Sequence, residues 1–311
     1  MPLARHPAAR PPATGRAASG DAAPGPAAPA PAVGRPSRLS PWAHGDYAVI
    51  GATLAIVAEQ LVEAADVRAG EKVLDVAAGT GNAALAAARR YAHVTATDPA
   101  PALLEQARER ARAEALPLRC QVAGVESLPF ADASFDVVLS TFGAMYAEDE
   151  ARAAREMLRV LRPGGRIGLA SWTPGGFVGR LCGVISTQLP EATCCRSPLR
   201  WGTPAHLAAL FGLAPSQLQC RRRRFDFRYR SAVHWVQVFR DFHGPLHKAF
   251  AALHPRRQQA LEHAIAALLQ SANTAGPGSL VVPATYLEAV ITRPPIPSPP
   301  AQPRPLSSTP P

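Results

Sequence analysis

From Lys72 to Trp172 the chain alternates short, uniformly apolar runs with runs of helical spacing, and the first apolar run ends in a glycine loop. No other feature of the sequence restricts the fold as much. Lys72 to Ala77 predicts a short buried strand, and Asn82 to Tyr91 an Ala-rich helix after the loop. His93 to Asp98 predicts a second strand. Pro101 to Ala115 predicts a helix with proline in its first turn, where the missing N–H costs nothing. Leu118 to Val122 and Phe135 to Ser140 predict two further strands. Glu148 to Val160 predicts a helix that stops before Arg162-Pro163-Gly164-Gly165, and Arg166 to Trp172 a fifth strand. Strands apolar on both faces and separated by helices specify a parallel sheet covered by helices on both sides. Upstream, Ile50, Leu54, Val57 and Leu61 fall at helical spacing, so one helix is expected over Tyr47 to Ala65.

After Trp172 the pattern changes. Helices are expected over Phe177 to Leu189, from Thr203-Pro204 to Phe211, over Ser231 to Phe242 and over about His247 to Gln270. Leu218 to Arg230 alternates, with Phe225, Phe227 and Tyr229 opposite Arg224, Asp226, Arg228 and Arg230, which predicts a half-exposed strand. Leu280 to Ile291 predicts the last strand, and the two late strands are expected as an antiparallel pair at the sheet edge. The Arg221 to Arg224 run reads as a solvated edge strand whose charge discourages pairing with another chain.

Both ends differ from this middle. Residues 1–40 and 294–311 are rich in proline and poor in large apolar side chains, so both read as disordered tails around a domain over 41–293. Within it, 41–172 would be the cofactor half and 173–293 the substrate cap with the edge strands. The net charge of +10 invites a nucleic-acid reading, but the first forty residues hold Arg5, Arg10, Arg16, Arg35 and Arg38 against Asp21 alone. The five cysteines (Cys120, Cys182, Cys194, Cys195 and Cys220) have no metal-ligand spacing and read as reduced thiols, so no metal is expected. No uncharged apolar run reaches the length of about 20 residues that a membrane helix needs, and no secretory signal opens the chain. A cytoplasmic location without membrane insertion is the expectation.

Three features carry chemistry. The loop Asp75-Val-Ala-Ala-Gly79-Thr80-Gly81 lets a ligand approach the backbone, and the helix after it offers unpaired amides and a positive dipole end. Asp98 ends the second strand, about 20 residues beyond the glycines, where an acid can accept both hydroxyl hydrogens of a ribose. The third is the crevice at the carboxyl ends of the strands, where open α/β sheets bind ligands. A dinucleotide enzyme would share all three. Asp75 separates the two readings, since a carboxylate repels a pyrophosphate but favours the ammonium and sulfonium of a methyl donor.

The stretches VLDVAAGTGN at Val73 to Asn82, VTATDPAPALLEQAR at Val94 to Arg108, VESLPFADASFDVVLS at Val125 to Ser140 and MLRVLRPGGRIGLASW at Met157 to Trp172 resemble, in order and spacing, the class I S-adenosylmethionine-dependent methyltransferases. Within them the resemblance is to the broad group that includes the quinone-biosynthesis C-methyltransferases. It implies a Rossmann-like, doubly wound, seven-stranded, mostly parallel sheet with helices on both faces and a late helical substrate cap. It also implies S-adenosylmethionine as cofactor. Carried over by position, Asp75, Ala77, Gly79, Thr80 and Gly81 would wall its methionine end, and Asp98 with Pro99 would hold the ribose. Val125 and Glu126 would meet the adenine edge, and Ser140 to Phe142 would touch the methionine part or the adenosine. Trp42, Gly45, Asp46 and Tyr47 would form a lid. This chain departs from the family at Ala77, where glycine is usual, and at Gly124, where an aspartate usually accepts the adenine amine.

Beyond the cofactor the sequence says less. His243 and Tyr146 are nominated as groups able to face the methyl and act as a base. The acceptor is expected to be a small, fairly apolar molecule methylated on oxygen or carbon by in-line displacement. Three alternatives stay open: an RNA-directed methyltransferase, a non-catalytic protein that kept the fold, and a nicotinamide-dependent oxidoreductase. Ser140-Thr141-Phe142-Gly143 lacks the Pro-Pro-aromatic segment of enzymes that methylate base amines, which counts against nucleic acid as substrate.

Overall fold

The computed structural model describes residues 47–188 and 198–295. The expectations for residues 1–40, for Trp42, Gly45 and Asp46, for Leu189, Cys194 and Cys195, and for the chain beyond residue 295 lie outside the described residues.

Burial fixes which strands are central. Every residue of β4 (Phe135–Thr141) except Thr141, and of β1 (Lys72–Val76) except Lys72, is buried. These two strands pair in parallel at the middle of the sheet. Outward on one side lie β2 (His93–Asp98) and β3 (Leu118–Val122), and on the other β5 (Leu161–Trp172), β7 (Leu280–Thr292) and β6 (Leu218–Tyr229). The order is β3-β2-β1-β4-β5-β7-β6. Strands β1 to β5 are parallel, and β7 runs antiparallel to both its neighbours. The sheet is therefore seven-stranded and mostly parallel, and its strand order reverses beside β1, which puts the ligand crevice at the carboxyl ends of β1 and β4. β6 is an edge strand, so its Arg221 to Arg224 run lies where charge opposes edge pairing.

The helices are α1 (Ala48–Thr53), α2 (Ala55–Ala64), α3 (Asn82–Ala88), α4 (Pro101–Ala113), α5 (Glu150–Val160), α6 (Phe177–Gln188), α7 (Pro204–Phe211), α8 (Ala232–Phe242), α9 (Gly244–Ala251) and α10 (Pro255–Ala272). Three elements differ from the sequence expectation. The single helix over Tyr47 to Ala65 is two helices, broken at Leu54, and the break lets α1 turn onto the glycine loop. The late helix is also two, separated before Pro255, whose ring cannot continue the preceding turn. β5 begins at Leu161 rather than Arg166, so Arg162 to Gly165 is part of the strand. It forms an irregularity in the register with β4, held by paired backbone bonds to Arg293 just past β7: Gly164 N–H to Arg293 O and Arg293 N–H to Gly165 O, both 2.9 Å. A helix-stop motif that finds a sheet partner becomes strand.

Candidate active site

The loop between β1 and α3 is bent by positive φ at Ala77 (51°), Gly79 (55°) and Gly81 (83°). Glycine adopts this conformation freely; alanine pays on the order of 1 kcal/mol. Ala77 is thus a strained residue at the point where the family has glycine. Gly81 is required on steric grounds as well, because a Cβ there would lie 2.9 Å from Ala107 Cβ on α4. Gly79, by contrast, borders open space. The loop keeps room for a ligand on that side and packs tightly on the other.

Two buried carboxylates flank it. Asp75 Oδ2 accepts the Ala84 N–H at 2.8 Å, capping the first turn of α3, while Oδ1 is buried with no hydrogen-bond partner within the protein. Burial raises its pKa to about 7, with Asp98 nearby adding to the shift. An orphaned, buried carboxylate oxygen is costly, and a cationic ligand group would offset that cost. Asp98 Oδ2 accepts from Gly79 N–H at 2.9 Å and Oδ1 from Ala100 N–H at 2.8 Å. Burial pushes its pKa up. Each oxygen retains a second lone pair, so the carboxylate is oriented by the backbone with capacity for two more donors.

The other expected positions separate. Pro99 is exposed. Val125 is buried, and Glu126 Oε1 accepts the Asp149 N–H at 2.9 Å, tying it to the start of α5. Beside them a Cβ at Gly124 would meet nothing within 4 Å, so the space an aspartate would fill is present. Ser140 is buried and its hydroxyl is spent within the protein, donating to Val76 O and accepting from Ala144 N–H, both at 2.9 Å. It joins the ends of β1 and β4 rather than reaching outward. Phe142 has φ 58°, a strained value for a bulky side chain, and its ring stacks on Trp172 at 4.0 Å with the planes 4° apart. Gly143 then crosses Ala77 so closely that a Cβ would fall 2.6 Å from Ala77 Cβ. Phe142 is thereby pinned directly against the glycine loop.

Behind Phe142 lies a partly open cavity of about 90 Å³. Its walls come from α1 and its flanks (Tyr47, Ile50, Leu54), from the segment after β4 (Phe142, Tyr146), from Trp172 at the end of β5, from α6, from Phe227 of β6 and from α8 with its following residues (Trp235, Phe239, His243). Trp235, Phe239 and His243 share one face of α8, with Trp235 and Phe239 stacked at 3.8 Å. Among the described residues the lining contains no Asp, Glu, Lys or Arg. Both nominated residues, Tyr146 and His243, line this cavity, as does Tyr47. Burial holds the Tyr47 hydroxyl neutral, with its pKa raised to about 12. Burial lowers the His243 pKa to about 4, so its ring is neutral near pH 7. His243 Nδ1 accepts the Leu246 N–H at 3.3 Å as the cap of α9, which places the ring proton on Nε2. In this tautomer Nε2 carries the ring proton and is a donor rather than a base. The Arg221 to Arg224 run is absent from the lining; Arg223 pairs with buried Glu288 through two 3.1 Å bonds.

Sequence reasoning passed over Arg110 and Gly51. Arg110 on α4 hydrogen-bonds the glycine loop, and Gly51 on α1 packs against Thr80. Neither carries a local signal, since each matters through a partner distant in the chain. Among the described residues no group of three His, Cys, Asp or Glu could hold a metal ion, and no helix is long and apolar enough to cross a membrane.

Comparison with known proteins agrees with this geometry. A methyltransferase-domain family model matches residues 74–169, the segment that builds the loop and both carboxylates. An uncharacterized Mycobacterium tuberculosis protein is 41% identical over 217 residues, 68% of this chain and 78% of its own length. The methyltransferase GfsG of Streptomyces halstedii is 39% identical over 145 residues, 46% of this chain and 51% of its own. Among solved structures, a candidate methyltransferase of Bacillus halodurans superposes with a TM-score of 0.53 at 19% identity, covering 76% of this chain and 98% of that one. The sheet order, the orphaned carboxylate beside the glycine loop and a relative matched over most of its length converge on one family: the chain belongs to the class I S-adenosylmethionine-dependent methyltransferases.

Proposed function

We propose that this protein transfers the methyl group of S-adenosylmethionine to a small, uncharged and mostly apolar acceptor, on oxygen or carbon. The observation that carries the acceptor class is the cavity beside Phe142, whose lining among the described residues has no Asp, Glu, Lys or Arg and whose His243 is neutral near pH 7. A carboxylate, phosphate or ammonium placed there would lose its water without gaining a counter-ion, at a cost of several kcal/mol. A neutral ring or chain would meet aromatic faces instead.

The donor's sulfonium makes its methyl carbon electrophilic, and the protein's task is to bind and orient. Asp75 Oδ1 is the group to meet the cationic methionine end. Asp98 is positioned by Gly79 and Ala100 N–H groups to accept the ribose hydroxyls. Gly79 leaves the backbone approach open, and Val125 and Glu126 border the space for adenine. Phe142, held by Trp172 and by the crossing of Gly143 over Ala77, separates the loop from the cavity. Alignment of acceptor and methyl is then the chief source of acceleration, since near-attack geometry lowers barriers by about 7–11 kcal/mol in the best cases. Tyr47, Tyr146 and neutral His243 are polar side chains of the described lining able to orient an acceptor oxygen.

The test has two arms. Titration calorimetry with S-adenosylmethionine should give saturable binding at one site per chain. Transfer of a labelled methyl group should then favour neutral phenols and alcohols over carboxylic acids of the same skeleton. Absence of binding defeats the enzyme reading, and a preference for the carboxylates defeats the acceptor class.

A further inference from the structure

One hydrogen-bonded chain joins three elements around the loop. Arg110 on α4 directs a single nitrogen, Nη1, at three oxygens: Thr80 O at 2.7 Å, Asn82 Oδ1 at 2.9 Å and Thr80 Oγ1 at 3.2 Å. Asn82, the first residue of α3, then donates from Nδ2 to Gly51 O on α1 at 2.7 Å. The acceptor role of Asn82 Oδ1 toward a guanidinium settles which end of the amide faces Gly51. Gly51 is close enough to Thr80 that a Cβ would sit 3.1 Å from Thr80 Oγ1, so α1 rests directly on the loop.

Nothing in this chain of bonds resembles an ordinary surface ion pair. Arg110 forms no salt bridge among the described residues, and burial lowers its pKa. A half-buried guanidinium has been committed to backbone and amide oxygens of the loop. What α1 carries explains the investment: Tyr47, which caps it, Ile50 and Leu54 form one wall of the acceptor cavity. Thr80 and Gly81 belong to the cofactor loop. The bonds therefore run from the cofactor's cradle to the acceptor's wall.

We propose that Arg110 and Asn82 are positioning residues that dock α1 on the cofactor loop, so that occupancy of the loop sets the acceptor-side wall. The proposal rests on the reading of the loop as the cofactor site. A ligand that orders Thr80 and Gly81 orders Asn82 with them, and α1 follows through Gly51 O. The acceptor cavity is thus completed from the cofactor side.

Hydrogen–deuterium exchange of the full chain tests this, with S-adenosylhomocysteine as the probe. In Asn82→Asp the oxygen that accepts from Arg110 is kept and the donor to Gly51 O is lost. Exchange of the amides in residues 48–53 should rise at least tenfold without ligand, while β7 and α10 stay unchanged. S-adenosylhomocysteine should slow exchange in 48–53 at least threefold in the wild type and not in Asn82→Asp, and calorimetric affinity should fall less than threefold. Arg110→Met should loosen both the loop and α1 and weaken S-adenosylhomocysteine at least tenfold, with partial recovery in Arg110→Lys. Unchanged exchange in 48–53 of Asn82→Asp overturns the proposal, and so does an equal rise in β7, which would mean general destabilisation. If the wild type fails to bind S-adenosylhomocysteine, the cofactor reading falls, whereas the ligand-free comparison still decides whether Asn82 holds α1.

Discussion

Asp75 is the residue on which the family reading first turned, and its environment makes a testable demand. Its raised pKa, about 7, follows from burial, with Asp98 contributing and the Ala84 N–H opposing. A cationic ligand selects the ionised form. Affinity for S-adenosylmethionine should therefore rise from pH 6 to 8 and level off above the Asp75 pKa. Titration calorimetry across that range checks this, and Asp75→Asn should lower affinity tenfold or more, at least about 1.4 kcal/mol, while flattening the profile. A second residue tests the adenine end. Gly124→Asp meets open space, so it should tighten binding by about 1.5–3 kcal/mol if its carboxylate gains the adenine amine. His243 was nominated as a base; the structure makes it a neutral cap with its pKa lowered to about 4. The unfolded chain takes up this proton near pH 6.5 and the folded chain does not. His243 thus contributes stability that is present above pH 6.5 and lost as pH falls towards 4. Asp75 acts with the opposite sign over a similar range, so the difference from a variant isolates His243. His243→Asn keeps a capping side chain and should lose less stability than the wild type between pH 7 and 4 in denaturant titrations.

At the scale of elements, most strands and helices between Lys72 and Trp172 were legible because each is buried or amphipathic in its own right. Two of the misreadings have a common cause. α1 and α2 share an apolar stripe that looks like one helix, and only contact of Gly51 with Thr80 and Asn82 shows why the chain turns at Leu54. The Arg162 to Gly165 segment reads as a helix stop, yet Arg293 at the far end of β7 supplies the backbone partners that make it strand. Pro255 is a different case, since the break it imposes was readable from its chemistry alone. The edge strand β6 supplies a prediction of its own. Arg221 and Arg222 are exposed there and form no ion pair among the described residues. Replacing both with valine should leave the fold intact but expose a flat apolar edge. Concentration-dependent association in light scattering is the expected outcome, and a monodisperse double variant would deny these arginines that role.

For the whole molecule, cofactor binding and folding are linked. A ligand bound only by the folded chain at 100 times its dissociation constant adds about 2.7 kcal/mol. For a domain of this size each kcal/mol is worth about 2–4 °C, so saturating S-adenosylhomocysteine should raise the melting temperature by about 5–10 °C. An unchanged melting curve under those conditions would argue that the loop holds no such ligand.

The sequence by itself determined the cofactor half. A strand, a glycine loop, a helix and an acid one strand further on are local or evenly spaced features. Their chemistry is fixed by backbone conformation that nearby residues impose. The tertiary structure decided the cavity beside Phe142. Tyr47, Tyr146, Phe227 and Trp235 come from four separate segments, and nothing in their spacing announces that they line one cavity. It decided the supports as well: Arg110, Asn82 and Gly51 are ordinary residues until α4, α3 and α1 meet. A cavity exists only where distant walls converge, and the packing that brings those walls together depends on long-range contacts rather than on local sequence.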